Sequence, residues 1–170
     1  AEGIRRNDHV FPIELKIVLA CAALAVLHSG VITDRGDAAA AQRPANALGG
    51  GARVDISECP DLLPILAVRA AYAAGETCFV NAARLRLKES DRLHAAAEGL
   101  SLLGADVAEA PDALLVRGHG GLKGGCTVES YGDHRMAMAW AIAALNADAP
   151  MSVRGAEAVN KSYPAFWREY

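Results

Sequence analysis

Aromatic side chains are scarce in this chain: three Phe, four Tyr and two Trp, 5% of 170 residues. A core of that composition has to be built from Ala, Leu, Val and Ile. Abundant alanine predicts helices that lie close against their neighbours, because small side chains shorten the distance between packed axes. An excess of positive charge is missing as well. Lys and Arg number 17 against 20 Asp and Glu, for a formal charge of −3. That balance excludes a global basic field of the kind that gathers nucleic acid or anionic membranes. An anion, if bound, must be held by a local cluster.

Long apolar runs are also lacking. The longest, Ile17 to Leu27, falls short of the roughly 20 residues needed to cross a bilayer. Acidic Glu2, Asp8 and Glu14 precede it and no small-x-small cleavage site follows, so it reads as a buried helix rather than a leader. Cysteine is sparse: Cys21, Cys59, Cys78 and Cys126 form no CxxC pair. No histidine stands at metal-ligand spacing from them, which excludes a zinc site of the usual kind. Reduced, buried thiols of a cytoplasmic protein are the expectation.

What is present is a globular composition, 52% hydrophobic and 22% charged, long enough for one sizeable core. Residues 1–52 read differently from the rest. A helix over about Ile13–Leu27 leads to a short strand at Val31–Ile32. The Ala-, Gly- and Arg-rich stretch from Asp34 to Gly51 is either a weak helix or a loop. From Arg53 onward the punctuation is clear. Val54–Ser57 reads as a strand. Pro60 opens a helix at the position proline tolerates best, which runs to about Ala74 and stops at Gly75. Thr77–Ala82 is a strand by its β-branched and aromatic content. Ser90 or Asp91 caps a helix ending at Gly104. Asp106–Ala110 and Ala113–Arg117 form a hairpin turning at Pro111-Asp112, followed by a glycine loop from Gly118 to Gly125. A strand near Cys126–Ser130, a helix from His134 to Ala147, a strand at Met151–Arg154 and a last helix from about Pro164 complete the chain. Short strands alternating with helices define an α/β class.

An internal echo accompanies this alternation. Residues 54–61 and 126–133 each lead from a strand to an aspartate at a helix start, Asp61 and Asp133. Each is followed by an Ala-rich helix, a strand, and a lysine beside a serine (Lys88 and Ser90; Lys161 and Ser162). Two copies of one strand–helix–strand–helix unit account for this, although two Ala-rich segments also resemble one another by chance.

Chemistry concentrates at three junctions between a strand and a helix. The densest is Arg84-Leu85-Arg86-Leu87-Lys88-Glu89-Ser90-Asp91-Arg92. Free backbone N–H groups and the positive end of a helix dipole favour an anion at such a place. Arginine adds a planar fork and lysine a mobile point charge. Glu89 inside that positive field is placed for proton transfer beside a bound anion. A solvated, salt-bridged loop has the same charge pattern. The second junction is Gly132-Asp133-His134-Arg135, where Asp133 caps a helix. An arginine in the first turn of a helix opposes the dipole, which argues for a bound anion near Arg135 and, equally, near Arg92. The third is Asn160-Lys161-Ser162. Equivalent loops of a repeat lie on one face, so these residues converge with Asp61 on one anion site.

The segments PDLLPILAVRAA, NAARLRLKESDRL, GDHRMAMAWAIAAL and VNKSYPAFW, in this order and spacing, resemble the EPSP synthases, or 3-phosphoshikimate 1-carboxyvinyltransferases. The resemblance covers Val54 to Tyr170 and is carried above all by KESDR and DHRMAM together. It implies an inside-out α/β barrel lobe of repeated βαβαββ units, with residues 53–170 as the C-terminal EPSP-synthase-like domain and residues 1–52 as a remnant of a first unit. It implies phosphoenolpyruvate and shikimate 3-phosphate as substrates, with no cofactor, metal, nucleic acid or membrane. Lys88 is similar to the family lysine that touches both substrates; Arg92, Arg135 and Lys161 to its phosphoenolpyruvate-binding cations. Glu89 resembles the residue that protonates the methylene carbon, and Asp61 the aspartate that contacts the shikimate hydroxyls. His134 matches a pocket-lining residue, and Arg84 is placed with the substrate-binding cations. Family enzymes are more than twice this long and close two lobes over their substrates. The expectation is therefore half a site, completed by an N-terminal lobe in cis or in trans. Two other readings stay open: a non-catalytic anion-binding module, and a relative acting on a UDP-sugar, against which KESDRL argues.

Overall fold

A computed structural model describes residues 3–4 and 51–170. The helix expected at Ile13–Leu27 and the strand at Val31–Ile32 lie outside the described residues, as does Cys21. Two sheets organise the rest. The larger has the order β2-β3-β5-β4, made of β2 (Ala52–Asp55), β3 (Ala74–Val80), β5 (Leu114–His119) and β4 (Asp106–Glu109). β2 runs parallel to β3, with Val54 beside Phe79, whereas β3–β5 and β5–β4 are antiparallel. The smaller sheet, β1-β7-β6, sets β7 (Met151–Arg154) parallel to β6 (Thr127–Glu129) and antiparallel to β1 (Gly3–Ile4). Parallel neighbours need a crossover, and each parallel pair has one: α1 (Leu63–Tyr72) joins β2 to β3, and α3 (His134–Ala144) joins β6 to β7. α2 (Arg92–Leu102) and the short α4 (Phe166–Glu169) each follow a 3-10 turn, at Ala83–Leu87 and Ala156–Lys161.

The core is aliphatic, as the shortage of aromatics requires. Leu63, Ala67 and Ala70 of α1, Leu93, Ala96 and Leu100 of α2, and Met136, Ala137 and Ala141 of α3 are all buried. Trp140 is the largest fully buried side chain. Its indole N–H donates to Glu129 O at 3.0 Å, which removes the cost of burying a polar atom. Gly99 of α2 lies so close to that ring that an added Cβ would collide with it.

Four expectations need correction. Pro60 opens a 3-10 turn over Pro60–Leu62, and the α-helix begins only at Leu63. That helix ends at Tyr72, and Gly75 does not stop it: Gly75 belongs to β3, with φ of +104°, paired with Gly118 of β5. Gly118 likewise belongs to a strand rather than to a glycine loop. The reason is contact, since a Cβ on Gly118 would overlap the carbonyl oxygens of Ala70 and Ala73. The end of α1 is laid directly over β5 and only glycine leaves it room. Finally, Cys59, Cys78 and Cys126 are unpaired but only half-buried.

Candidate active site

Each functional side chain stands just beyond the carboxyl end of a strand. Asp61 lies in the turn after β2, Lys88 and Glu89 in the link after β3, Asp133 at the turn after β6, and Lys161 at the end of the turn after β7. Short side-chain caps hold these junctions. Asp91 accepts the His94 N–H at 3.0 Å and so starts α2 at Arg92. Asp133 accepts the Arg135 N–H at 2.9 Å and starts α3 at His134. Ser90, the alternative cap for α2, turns instead to Asp133, donating its hydroxyl to Oδ2 at 3.0 Å.

Arg92 is the hub. Its side chain is 1% exposed. Nε donates to Asp133 Oδ2 at 2.6 Å, one Nη to Asp61 Oδ1 at 2.6 Å, and the other to Glu89 and, at 3.3 Å, to Asp133 Oδ1. Three carboxylates thus surround one buried guanidinium. Around the exposed side of Asp61 stand two more cations: Lys88 Nζ at 3.3 Å from Oδ1 and an Nη of Arg135 at 3.1 Å from Oδ2. Lys161 is exposed and donates to Gly132 O at 2.7 Å, one residue from Asp133.

The electrostatics follow from this packing. Burial pushes the Asp133 carboxyl up, but the Arg92 guanidinium, the Arg135 N–H and the Ser90 hydroxyl outweigh it and hold the group below its ordinary 3.8. Burial also opposes ionisation of Asp61, and Arg135, Lys88 and Arg92 overcome it in the same direction. The arginine in the first turn of α2 is therefore compensated by the chain's own carboxylates, which corrects the inference that its position alone calls for a bound anion. Arg92 is saturated. The cations with room for a ligand are Lys88, with 27% of its side chain exposed, Arg135, with 37%, and Lys161.

The structure brings together Asp61, Lys88, Glu89, Arg92 and Arg135 in direct contact, with Lys161 beside them. Arg84 is exposed and makes none of the cluster's contacts. His134 sits in the first turn of α3, its side chain 13% exposed, with Nδ1 at 4.0 Å from Asp133 Oδ1 and no hydrogen-bond partner for that atom. Asp133 is the member that sequence reasoning missed, having been assigned only a cap. Nothing in its spacing announces a partner 41 residues upstream.

A family model described as EPSP synthase (3-phosphoshikimate 1-carboxyvinyltransferase) matches residues 18–170. The chain belongs to the EPSP synthase family. Among curated EPSP synthases, those named 3-phosphoshikimate 1-carboxyvinyltransferase from Clostridium acetobutylicum and Clostridium novyi are 56% and 52% identical over 119 and 120 residues. These alignments cover 70% and 71% of this chain but only 28% and 27% of the relatives. The chain thus spans little more than a quarter of the length of the EPSP synthases it matches. A solved EPSP synthase from Acinetobacter baumannii is 35% identical with a TM-score of 0.63, covering 67% of this chain and 27% of that one. The enolpyruvyl transferase NikO from Streptomyces tendae is 22% identical with a TM-score of 0.59, over 71% of this chain and 27% of its own, a likeness of fold alone.

Proposed function

We propose that this chain carries the C-terminal half of the site for enolpyruvyl transfer from phosphoenolpyruvate to the 5-hydroxyl of shikimate 3-phosphate, and that it needs an N-terminal lobe for turnover. The supporting observation is the single cluster that Asp61, Lys88, Glu89, Arg92 and Arg135 form from three separate junctions. In this reading Asp61, kept ionised by its cations, accepts the proton of the attacking hydroxyl. The hydroxyl oxygen bonds to C2 of phosphoenolpyruvate while Glu89 protonates the methylene carbon, giving a tetrahedral intermediate. Loss of inorganic phosphate and of one proton from the new methyl group then restores the double bond. Lys88, Arg135 and Lys161 take the phosphate and carboxylate oxygens, and their positive charge stabilises the leaving group. Arg92 backs them from below and exchanges Asp61 and Glu89 for ligand oxygens. Arg84 and His134 stand at the margin as substrate contacts.

The two helix-bridged parallel pairs support a lobe of repeated βαβαββ units of the inside-out barrel type, with residues 53–170 as the domain and residues 1–52 as the remnant of a first unit. Among the described residues no helix is long and apolar enough to cross a membrane, and we assign the chain to the cytoplasm, without metal or organic cofactor. The test is phosphate release from both substrates, with and without the N-terminal lobe of a related EPSP synthase added in trans. Turnover only with the added lobe supports the proposal. Persistent silence with phosphoenolpyruvate still bound favours the second reading, a non-catalytic anion-binding module.

A further inference from the structure

Arg86 lies in the same charged segment as Lys88 and Arg92 but points away from their cluster. Its guanidinium reaches the tip of the β4–β5 hairpin, where Nε donates to Pro111 O at 2.9 Å and Nη2 to Ala110 O at 2.7 Å. The remaining nitrogen, Nη1, bridges Asp91 Oδ2 and Glu109 Oε1, both at 2.8 Å. Four acceptors, three on the hairpin stretch 109–111 and one at Asp91, are thus met by one side chain, which is 28% exposed. Two of its partners have second tasks. Asp91 caps α2 through the His94 N–H, and Glu109 takes the His94 ring at 3.0 Å. One further bond, from Ala82 N–H to Asp112 O at 2.8 Å, lays the start of the same loop on the hairpin.

We propose that Arg86 is a positioning residue, which fixes the loop bearing Lys88, Glu89 and Arg92 to the hairpin tip and so sets where those three groups stand. The physical case is that the link needs an anchor. Between the 3-10 turn ending at Leu87 and the helix starting at Arg92, Lys88 and Glu89 have no regular structure of their own. Leu87 contributes little packing, being 87% exposed. Lys88 and Glu89 face Asp61 and Arg92 on one side of this link, and Arg86 holds the link from the other. A planar fork with donors in several directions satisfies two carbonyls and two carboxylates at once; an ammonium group does not. Site groups must be held to about 0.5 Å by such supports to act. That consequence for ligands rests on the reading of the cluster as the substrate site.

The experiment uses the full chain, labelled with 15N, as wild type, Arg86→Gln and Arg86→Lys. Two readouts need no ligand: the amide resonances of residues 88–92, and the Arg92 Nε–H resonance, which burial against Asp133 shields from solvent exchange. In both variants these are expected to shift and to exchange faster, while amides of β2, β7 and α3 keep their wild-type positions. A general loss of stability would move all of them together. Phosphoenolpyruvate, titrated as the probe, is expected to bind about tenfold more weakly. Unmoved resonances at 88–92 and Arg92 in a folded Arg86→Gln chain would overturn the proposal. If that variant fails to fold, Glu109→Gln removes one charged acceptor and is judged by the same signals. A wild-type chain that ignores phosphoenolpyruvate, combined with shifted 88–92 signals in the variants, would sink the functional reading and leave the clamp standing.

Discussion

Arg92 and Asp133, 41 residues apart in the chain, meet as an ion pair with Nε to Oδ2 of 2.6 Å and side chains 1% and 0% exposed. The first opens α2 and the second caps α3, so the pair joins the two helix starts. Desolvating both charges is expensive, and the geometry answers that cost only because Ser90 and the Arg135 N–H complete the bonding of Asp133.

Removing one partner should therefore hurt more than any exposed pair does. Arg92→Met leaves Asp133 ionised and unpaired, with an expected loss of about 3–5 kcal/mol. Arg117→Met, breaking bonds to Glu76 and Asp106 at a surface position, should change stability far less. Urea denaturation of the two variants side by side checks the contrast, and comparable losses would refute it.

Acid should weaken the fold through the same group. Asp133 is held below its ordinary 3.8 in the folded chain, so over the interval beneath that value the unfolded state binds the proton first. Stability then rises with pH in that window: the contribution is complete above 3.8 and disappears as pH falls through the lower folded value. Urea midpoints measured downward from about pH 6 should stay level and then drop. Asp133→Asn should start lower and show a shallower acid slope.

Two glycines should resist substitution to different degrees. At Gly118 an added methyl meets the backbone carbonyls of Ala70 and Ala73, which cannot move without displacing α1 from β5. At Gly99 it meets the Trp140 indole, a side chain. Gly99→Ala gains about 1 kcal/mol of helix propensity and loses about 1–3 kcal/mol to overpacking, for a small net destabilisation. Gly118→Ala should be the more damaging of the pair. Thermal unfolding followed by circular dichroism ranks them, and a milder Gly118→Ala would contradict the packing described.

Asp61 bridges Lys88 and Arg135 in the free chain, the two cations proposed above to take ligand oxygens. Asp61→Asn removes a competing negative charge, so inorganic phosphate should bind severalfold more tightly, even as the proposed proton acceptor is lost. Lys88→Met should have the opposite effect on phosphate. Calorimetric or NMR titration reads both, and weaker phosphate binding by Asp61→Asn would show that the carboxylate does not compete.

Much of this was legible in the chain of letters because its cues are local. The caps, the Pro111-Asp112 turn and the alternation of short strands with Ala-rich helices each involve residues within a few positions, and they place the elements to within a few residues. The charged junctions were legible for the same reason, since a cation at a helix start is a local anomaly. Gly118 escapes local pattern because its role is decided by α1 lying over β5, and Gly75 because it is the β3 partner of Gly118, 43 residues along the chain.

By itself the sequence determined the class of fold, the capped helix starts at Arg92 and His134, and the set of charged groups carried there. Only the tertiary structure decided which charge answers which. Arg92 has one carboxylate three residues away, Glu89, but its others come from Asp61 and Asp133, 31 and 41 residues distant and on different elements. Ion pairing depends on separation in space and on exclusion of water, and both are properties of how the helices pack rather than of their order along the chain.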